Sequence, residues 1–228
     1  MKIARALFVR SPGPDRSLRI DLSHRWPWDF AANVRTSEPS ELMQRIETSL
    51  PGVFELRPVI HRDTRGFFVE TYHKSKFADL GIADAFVQDN HSRSLRGTLR
   101  GLHYQLHHPQ AKLCRVVEGE ALDVALDIRV GSPTFGKWTS VLLSAKEQNQ
   151  VYVPIGFAHG FVTLTDTVHF LYKCSDYYEP ADEYGIAWND PDLRIHWGLS
   201  APIVSDKDVK HLPLTQVFPG HLPKYPGK

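Results

Sequence analysis

Residues 121–130 read ALDVALDIRV, and this alternation limits the possible folds more than any other part of the chain. On an extended strand, the aliphatic residues at positions 122, 124, 126 and 128 point to one side, and the residues at the odd positions 123 to 129 point to the other. Turn-forming sequences stand at both ends, EGE before the segment and GSPTFG after it. The segment therefore predicts a strand with two different faces, bounded by turns.

Strand-like segments separated by turns follow one another from Val53 to Cys174. The first two, VFELRPVI and GFFVETY, flank the polar HRDTR and predict a hairpin. Only residues 74–81, KSKFADLG, predict a short helix, which Gly81 ends. About ten short strands with almost no helix predict an all-β sandwich or jelly roll, and they argue against alternating strands and helices.

The composition excludes several classes of protein. The 228 residues are 42% hydrophobic and 23% charged with a net charge of +1, which gives no sign of a nucleic-acid or membrane surface. No apolar run reaches the ~18 residues of a membrane-spanning helix, and the N-terminus lacks the apolar core of a secretory signal. Cys114 and Cys174 form no CxxC pair and are typical of reduced core residues in a cytoplasmic protein.

Residues 1–42 differ from the rest of the chain, with four prolines and no sustained periodicity. Their seven basic and five acidic residues do not fit an acidic-poor transit peptide. Trp26 and Trp28 are the one feature that argues for packing. We expect a poorly ordered extension, or an upstream start, at residues 1–42 and one folded domain over residues 43–228.

The segment VPIGFAHGF at 153–161 has a PxGxxH arrangement ending in His159. It is similar to the second motif of the cupin superfamily, whose small β jelly rolls often bind a metal. The first motif of metal cupins carries HxH, but in LHYQ the residue His103 has no second histidine two positions on. His107 and His108 are adjacent and would point in opposite directions on a strand. Since a catalytic metal needs about three converging ligands, the sequence predicts no metal.

Polar residues interrupt several of the predicted strands. His103 and Tyr172 stand on otherwise small or apolar stripes, where an unpaired polar group is costly. Either one alone is best explained by a private hydrogen-bond partner, but together with Lys112 and His159 they favour a ligand cavity. Arg100 lies three positions from His103 and should face away, unless the intervening glycine forms a bulge or Arg100 serves a second subunit.

Six motifs in order resemble the dTDP-4-dehydrorhamnose 3,5-epimerase family. They are RGFFVETY, FVQDNHSRS, LRGLHYQ, KLCRVVEGEALDVALDIRVGSPTFGKW, VPIGFAHGFVTL and FLYKCSDYY, within a resemblance that covers about residues 43–212. The resemblance implies an all-β, cupin-type β jelly roll with short flanking helices that works as a homodimer without a cofactor. It also implies epimerisation at C3 and C5 of dTDP-4-dehydro-6-deoxy-D-glucose to dTDP-4-dehydro-L-rhamnose. This reaction would be a cytoplasmic step towards dTDP-L-rhamnose for surface polysaccharide such as lipopolysaccharide.

The resemblance implies catalytic roles as well. His103 matches the family's base, which removes a proton next to the C4 ketone, and Tyr172 matches the opposing proton donor. Lys112 matches the cation near the developing C4 oxyanion. Asp208 in SDKDVK matches the aspartate that orients the base, and Asp206 competes for that role.

Binding of a diphosphate needs cations, yet the chain has no glycine-rich phosphate loop, so separate arginines must serve. The resemblance implies a substrate-binding set of Arg65, Glu70, Gln88, Asp89, Asn90, Arg100, Lys112, His159, Tyr178, Glu183 and Lys207. In this set, the aromatic ring of Tyr178 would stack on the sugar or its hydroxyl would bond near it.

Three other functions stay open at this point. A single-site epimerase of a dTDP-4-keto-6-deoxysugar differs in cavity shape, which the sequence does not show. A cupin-like 3,4-ketoisomerase is disfavoured because LRGLHYQ and FLYKCSDYY match the epimerases. A non-catalytic sugar-binding cupin would have no reason to keep His103, Lys112 and Tyr172 together.

Overall fold

The computed structural model describes residues 42–226, so the predicted extension with Trp26 and Trp28 lies outside the described residues. The strands are β1 (Gln44–Glu47), β2 (Phe54–Arg57), β3 (Ile60–Asp63), β4 (Gly66–Val69), β5 (Gln88–Leu95), β6 (Leu99–Gln105), β7 (Lys112–Glu118), β8 (Glu120–Asp127), β9 (Trp138–Ser144), β10 (Gln150–Val153), β11 (Phe157–Thr163), β12 (Thr167–Cys174) and β13 (Glu183–Gly185). The helices are α1 (Lys74–Asp79) and four 3₁₀ turns, Pro180–Asp182, Asp208–Lys210, Leu214–Gln216 and Pro219–His221.

Two antiparallel sheets pack face to face in a cupin-like jelly roll. One sheet has six strands in the order β1-β2-β10-β7-β12-β5, and the other has five in the order β13-β6-β11-β8-β9. Strands that are distant in sequence are neighbours, as expected for a jelly roll rather than a series of hairpins. The prediction of an all-β jelly roll with short helices is confirmed.

The core between the sheets draws side chains from both of them. Val116 and Phe170 come from the six-stranded sheet, whereas Ala125, Leu143 and Phe161 come from the five-stranded sheet. Phe161 and Phe170 stack across the gap with their ring centroids 3.9 Å apart. This contact joins the two sheets in the interior of the barrel.

The alternating strand β8 is buried on both faces. Its aliphatic face, from Leu122 to Leu126, packs under the C-terminal segment, where Ile186, Trp197 and Leu222 cover it. Its other face points between the sheets, which leaves the carboxylate of Asp123 only 1% exposed. The alternation therefore separates two buried environments rather than a buried face from a solvent face.

The predicted hairpin and helix form with shifted bounds. The segment VFELRPVI, predicted as the first strand of the hairpin, forms β2, which ends at Arg57 before Pro58 and joins the six-stranded sheet. The hairpin itself consists of β3 and β4. Helix α1 covers Lys74–Asp79, and Gly81 follows it with a φ of +94°. A helix of this length is not stable alone, so the burial of Phe77 holds it on the sheet. Among the described residues, no helix is long and apolar enough to cross a membrane.

Candidate active site

A cavity of about 650 Å³ opens between the two sheets. The six-stranded sheet contributes β5, β7 and β12 to its wall, and the five-stranded sheet contributes β6, β11 and β13. Eleven predicted site residues line it: Gln88, Asn90, Arg100, His103, Lys112, His159, Tyr172, Tyr178, Glu183, Lys207 and Asp208. A concave site with several converging polar groups is typical of small-molecule binding.

Arg100 and His103 both reach this cavity because β6 contains a bulge. Opposite β11, His103 pairs with His159 and Arg100 pairs with Phe161, so three steps on β6 match two steps on β11. Gly101 has a φ of +127°, and a Cβ at this position would lie 2.5 Å from a backbone carbon of β11. Only glycine permits this approach, and the bulge turns Arg100 into the cavity of its own chain.

His103 forms a hydrogen-bonded pair with Asp208. Its Nε2 lies 2.7 Å from Oδ1 of Asp208, and the N–H of Gly101 donates to the other carboxylate oxygen at 3.2 Å. Burial would raise the pKa of Asp208, but the hydrogen bond and the charge of His103 outweigh burial, so this pKa lies below its usual value. Asp206 is exposed. Asp208 is therefore the aspartate that contacts His103.

The second ring nitrogen of His103 faces a carboxylate. Its Nδ1 lies 3.7 Å from Oε1 of Glu183, whose other oxygen accepts hydrogen bonds from the Tyr178 hydroxyl, at 2.6 Å, and from the Lys207 ammonium. Burial would raise the pKa of Glu183, but these two hydrogen bonds outweigh it and lower that pKa. The bond to Glu183 is also the main reason that the pKa of Tyr178 rises to about 12. Glu183 is thus an ionised acceptor that holds two cavity residues in place.

Tyr172 enters the cavity from the sheet opposite His103, since it lies on β12 of the six-stranded sheet and His103 lies on β6 of the other. Burial, more than any charge, raises the pKa of Tyr172 to about 12, so the hydroxyl keeps its proton at neutral pH. The ammonium of Lys112 lies 6.0 Å from the centre of the Tyr172 ring. In the described part of the chain, no carboxylate forms an ion pair with Lys112.

A second histidine–aspartate pair lies deeper in the barrel. Nε2 of His159 lies 2.8 Å from Oδ2 of Asp123 and 3.7 Å from Sγ of Cys114. All three residues are buried, and only His159 lines the cavity. Asp123 is not among the sequence-predicted site residues, although the alternation of ALDVALD already sets it apart from the aliphatic face.

His211 is another neighbour of the site that the sequence did not reveal. Its ring lies edge-on to His103 with centroids 5.6 Å apart, and its buried Nδ1 has no hydrogen-bond partner among the described residues. Burial, reinforced by the charge of His103, lowers the pKa of His211. The sequence feature that could have indicated His211 is its position three residues after Asp208, because residues i and i+3 of a 3₁₀ turn lie on the same side of the turn.

The sequence argument about metal ligands considered His103, His107 and His108. His107 and His108 do not line the cavity, but within residues 42–226 the fold gathers two groups of three possible ligands. These groups are His103, Asp208 and His211, and Cys114, Asp123 and His159. The first group joins β6 to the Asp208–Lys210 turn and the second joins β7, β8 and β11, so adjacent positions in the sequence could not indicate either one.

Three residues of the predicted binding set do not line the cavity of their own chain. Asp89 faces the other side of β5 because neighbouring strand residues alternate, and it binds Lys173 at 2.8 Å. Arg65 lies in the exposed β3–β4 turn and binds Asp63, whereas the carboxylate of Glu70 binds the ammonium of Lys76 at 2.8 Å.

Comparison with known proteins identifies relatives of this chain. A family model described as dTDP-4-dehydrorhamnose 3,5-epimerase matches residues 47–216. The dTDP-4-dehydrorhamnose 3,5-epimerase of Neisseria gonorrhoeae is 52% identical over 169 residues, which are 73% of this chain and 51% of that protein. The chain thus spans about half the length of that relative.

Solved structures show the same architecture. The crystal structure of a dTDP-6-deoxy-D-glucose-3,5-epimerase from Legionella pneumophila, in complex with dTDP-4-keto-L-rhamnose, is 45% identical with a TM-score of 0.79. The match covers 81% of this chain and 100% of that one. A 3′-monoepimerase from Streptomyces bikiniensis, in complex with dTDP-quinovose, is 38% identical with a TM-score of 0.75, covering 79% and 93% of the two chains.

Proposed function

This chain belongs to the dTDP-4-dehydrorhamnose 3,5-epimerase family, a family of isomerases, and we propose that it inverts C3 and C5 of dTDP-4-dehydro-6-deoxy-D-glucose to give dTDP-4-dehydro-L-rhamnose. One observation carries the proposal. The His103–Asp208 pair and the protonated Tyr172 approach one cavity from opposite sheets. Epimerisation needs this arrangement, because a proton leaves one face of a carbon and returns to the other.

His103 acts as the general base. Protons at C3 and C5 are acidic because their removal gives an enolate conjugated with the C4 carbonyl. If Nε2 of His103 donates its proton to Asp208, Nδ1 carries the lone pair that accepts the proton from carbon. The ionised Asp208 fixes this tautomer and stabilises the imidazolium that forms.

Lys112 and Tyr172 complete the reaction. The Lys112 ammonium stabilises the negative charge that develops on the C4 oxygen, an effect that is strong in a cavity shielded from water. The Tyr172 hydroxyl then gives its proton to the opposite face of the carbon. The tyrosinate regains a proton from water, and the imidazolium of His103 loses one, so the enzyme returns to its starting state.

The nucleotide lies towards the open side of the cavity. Arg100 donates from Nε to Ser94 Oγ at 3.1 Å, which fixes the guanidinium and leaves its outer nitrogens for the diphosphate. Lys207 adds a second cation, and Gln88 and Asn90 offer hydrogen-bonding amides on the opposite wall. The Tyr178 ring provides a flat surface beside them.

We further propose that Arg65 and Glu70 serve the cavity of a second copy in a homodimer. The family resemblance assigns both to the substrate, yet they lie on or next to the β3–β4 hairpin, outside the cavity of their own chain. The hairpin also exposes Phe67 and Phe68, 52% and 70% respectively, as expected for a segment that packs against another chain.

Mixed dimers of inactive variants test whether each chain supplies residues to the cavity of its partner. A His103→Ala chain and an Arg65→Ala chain, refolded or exchanged together, should regain activity, because one site of a mixed dimer has both residues intact. A mixture of His103→Ala with Tyr172→Phe is the control and should gain nothing, since Tyr172 lines the same cavity as His103. Equal activity in the two mixtures would contradict the proposal that Arg65 serves the partner's cavity.

The reaction should need no metal or other cofactor. We place it in the cytoplasm, as a step that supplies L-rhamnose for surface polysaccharide such as lipopolysaccharide. The free, buried Cys114 and Cys174 support a reducing compartment. Activity should survive exhaustive dialysis against a chelator. Loss of activity that a stoichiometric metal restores would contradict a metal-free reaction.

The decisive experiment follows substrate protons in heavy water. With dTDP-4-dehydro-6-deoxy-D-glucose, NMR should show deuterium entering at both C3 and C5. Similarity to the 3′-monoepimerase of Streptomyces bikiniensis makes a single-site epimerase the second candidate, which would exchange one carbon only. Exchange at neither carbon would favour a non-catalytic sugar-binding cupin.

A further inference from the structure

The buried group of Cys114, Asp123 and His159 has a geometry that its hydrogen bonds alone do not require. The residues come from three strands, β7, β8 and β11, and their ligand atoms all lie within 4.8 Å of one another. A single nitrogen, Nε2 of His159, faces both the Asp123 carboxylate and the Cys114 sulfur. Three different donor types, S, O and N, therefore converge on one small volume.

One of the two measured distances matches the edge of a tetrahedral metal site. With zinc–sulfur and zinc–nitrogen bonds of about 2.3 and 2.05 Å, a tetrahedral S–N edge is about 3.6 Å. Sγ of Cys114 lies 3.7 Å from Nε2 of His159. The N–O edge to Asp123 is 2.8 Å and would have to open by about half an ångström to admit the ion.

The charges and donor types select the ion. A thiolate and a carboxylate together neutralise a divalent cation, and thiolate with imidazole favours soft or borderline metals over Mg²⁺ and Ca²⁺. We propose that Cys114, Asp123 and His159 bind one thiophilic divalent cation, of the class of Zn²⁺ and Cd²⁺. His159 lines the cavity, so the ion enters there and a water molecule or substrate atom takes the fourth position.

Binding follows a simple proton balance. The Cys114 thiol loses its proton to solvent as the sulfur–metal bond forms, and the His159 proton moves from Nε2 to Nδ1 so that Nε2 can coordinate. Burial and the charge of Asp123 raise the pKa of the Cys114 thiol, whereas Lys112 acts in the opposite direction. Loading should therefore strengthen as pH rises, because proton release accompanies it.

Cadmium provides a direct probe, because a cadmium–thiolate bond gives an ultraviolet charge-transfer band. The full-length protein, freed of metal and titrated with Cd²⁺ under reducing conditions, should develop this band up to one equivalent per chain. Cys114→Val should lack the band. Loss of an outer-shell partner typically lowers metal affinity by about 10–100-fold. Loss of a direct ligand such as Cys114 should weaken Cd²⁺ binding by at least that factor.

Two matched controls keep the result interpretable. Cys174 is also buried, but its sulfur accepts a hydrogen bond from Asn90 at 3.5 Å and belongs to neither ligand group, so Cys174→Val should keep the band. The group of His103, Asp208 and His211 contains no sulfur and cannot produce it. A band that persists in Cys114→Val, a band lost only in Cys174→Val, or no stoichiometric band would overturn the proposal. Cys114→Ala repeats the test if valine prevents folding.

One consequence rests on the proposed function. Since the ion would occupy His159, Zn²⁺ should inhibit epimerisation, a chelator should restore it, and Cys114→Val should resist inhibition while keeping its basal rate. The charge-transfer titration uses no substrate. A cadmium band without epimerase activity would therefore reject the function and not the site. Epimerase activity without a cadmium band would reject the site alone.

Discussion

Two histidine–aspartate pairs occupy the same barrel with nearly equal hydrogen bonds, 2.7 Å for His103–Asp208 and 2.8 Å for His159–Asp123, but in different surroundings. The His103 side chain is 25% exposed, and its partner comes from a C-terminal 3₁₀ turn. The His159 side chain is 7% exposed, and its partner lies on the adjacent strand β8. Both histidines line the cavity, but the first pair is partly exposed there and the second is buried in the barrel.

The surroundings decide what each pair can do. Nε2 of His103 is held by Asp208, which leaves Nδ1 on the side of Glu183 and the cavity. In the deeper pair, the nitrogen that contacts Asp123 is also the one nearest Cys114. A base needs one nitrogen oriented and the other accessible, and the geometry of His103 meets that requirement. His159 is better placed for positioning or for a metal.

The largest expected effect separates the two histidines. His103→Ala should lower kcat for exchange at both C3 and C5 by about 10²–10⁴-fold, the usual contribution of a general base. His159→Gln keeps an N–H that can donate to Asp123, so KM should rise and kcat should fall much less. Heavy-water exchange measured by NMR gives both values. Equal losses of kcat in the two variants would end the distinction between the pairs.

The second prediction concerns the wall opposite His103. Tyr172→Phe should slow product formation by about 10²-fold, since the proton donor is lost, while proton removal by His103 continues. Deuterium should then enter recovered substrate faster than it enters product. Tyr178→Phe is the control, because that hydroxyl is engaged with Glu183 and should affect binding more than proton return. Equal loss of both exchange reactions would contradict the assignment of Tyr172 as donor.

Much of this architecture was predictable because its signals are local. Turn residues and period-two alternation locate most strands, and the matched motifs place His103, Lys112 and Tyr172 on strands of one barrel. Asp208 was predicted only through the match of SDKDVK, which left Asp206 as a competitor, and no strand or helix pattern fixes its position. It reaches His103 only because the C-terminal segment crosses the end of β6, and the geometry then selects it over Asp206.

What the sequence could not provide depends on contacts between distant segments. The outer face of β8 is buried because the segment around Trp197 and Leu222 covers it, and that segment has no periodicity of its own. Asp89 stands inside the motif FVQDN, but strand alternation turns it away from the cavity. Matching a motif assigns a residue to a strand, whereas the register of the sheet decides which way the residue faces.

A third and smaller effect should appear in stability against pH. The folded-state pKa of Asp208 lies below its ordinary 3.8, so its charge stabilises the folded protein fully above that value, and this contribution is lost as pH falls through the lowered pKa. Asp208→Asn should cost about 1.5–3 kcal/mol of unfolding free energy at neutral pH, as for a hydrogen bond to a charged group. Denaturant unfolding at several pH values should show the difference from wild type shrinking below pH 3.8. The exposed Asp206→Asn should show no such trend, and a constant difference for Asp208→Asn would argue against the charge as its cause.

The smallest predicted effect concerns Arg100, which shares the β6 bulge with His103 but for which we propose a role in binding alone. Arg100→Ala should raise KM by about tenfold and leave kcat nearly unchanged, because a diphosphate contact away from the reacting carbons stabilises ground state and transition state equally. Arg96 offers a matched control, since it is also a surface arginine but binds Asp166 and does not line the cavity. The KM difference between Arg100→Ala and wild type should shrink at high salt, which screens an exposed guanidinium–phosphate contact, and Arg96→Ala should show neither effect. A fall in kcat with unchanged KM would place Arg100 with His103 in the chemistry, and no effect at all would make it a solvated surface charge that the bulge happens to turn inward.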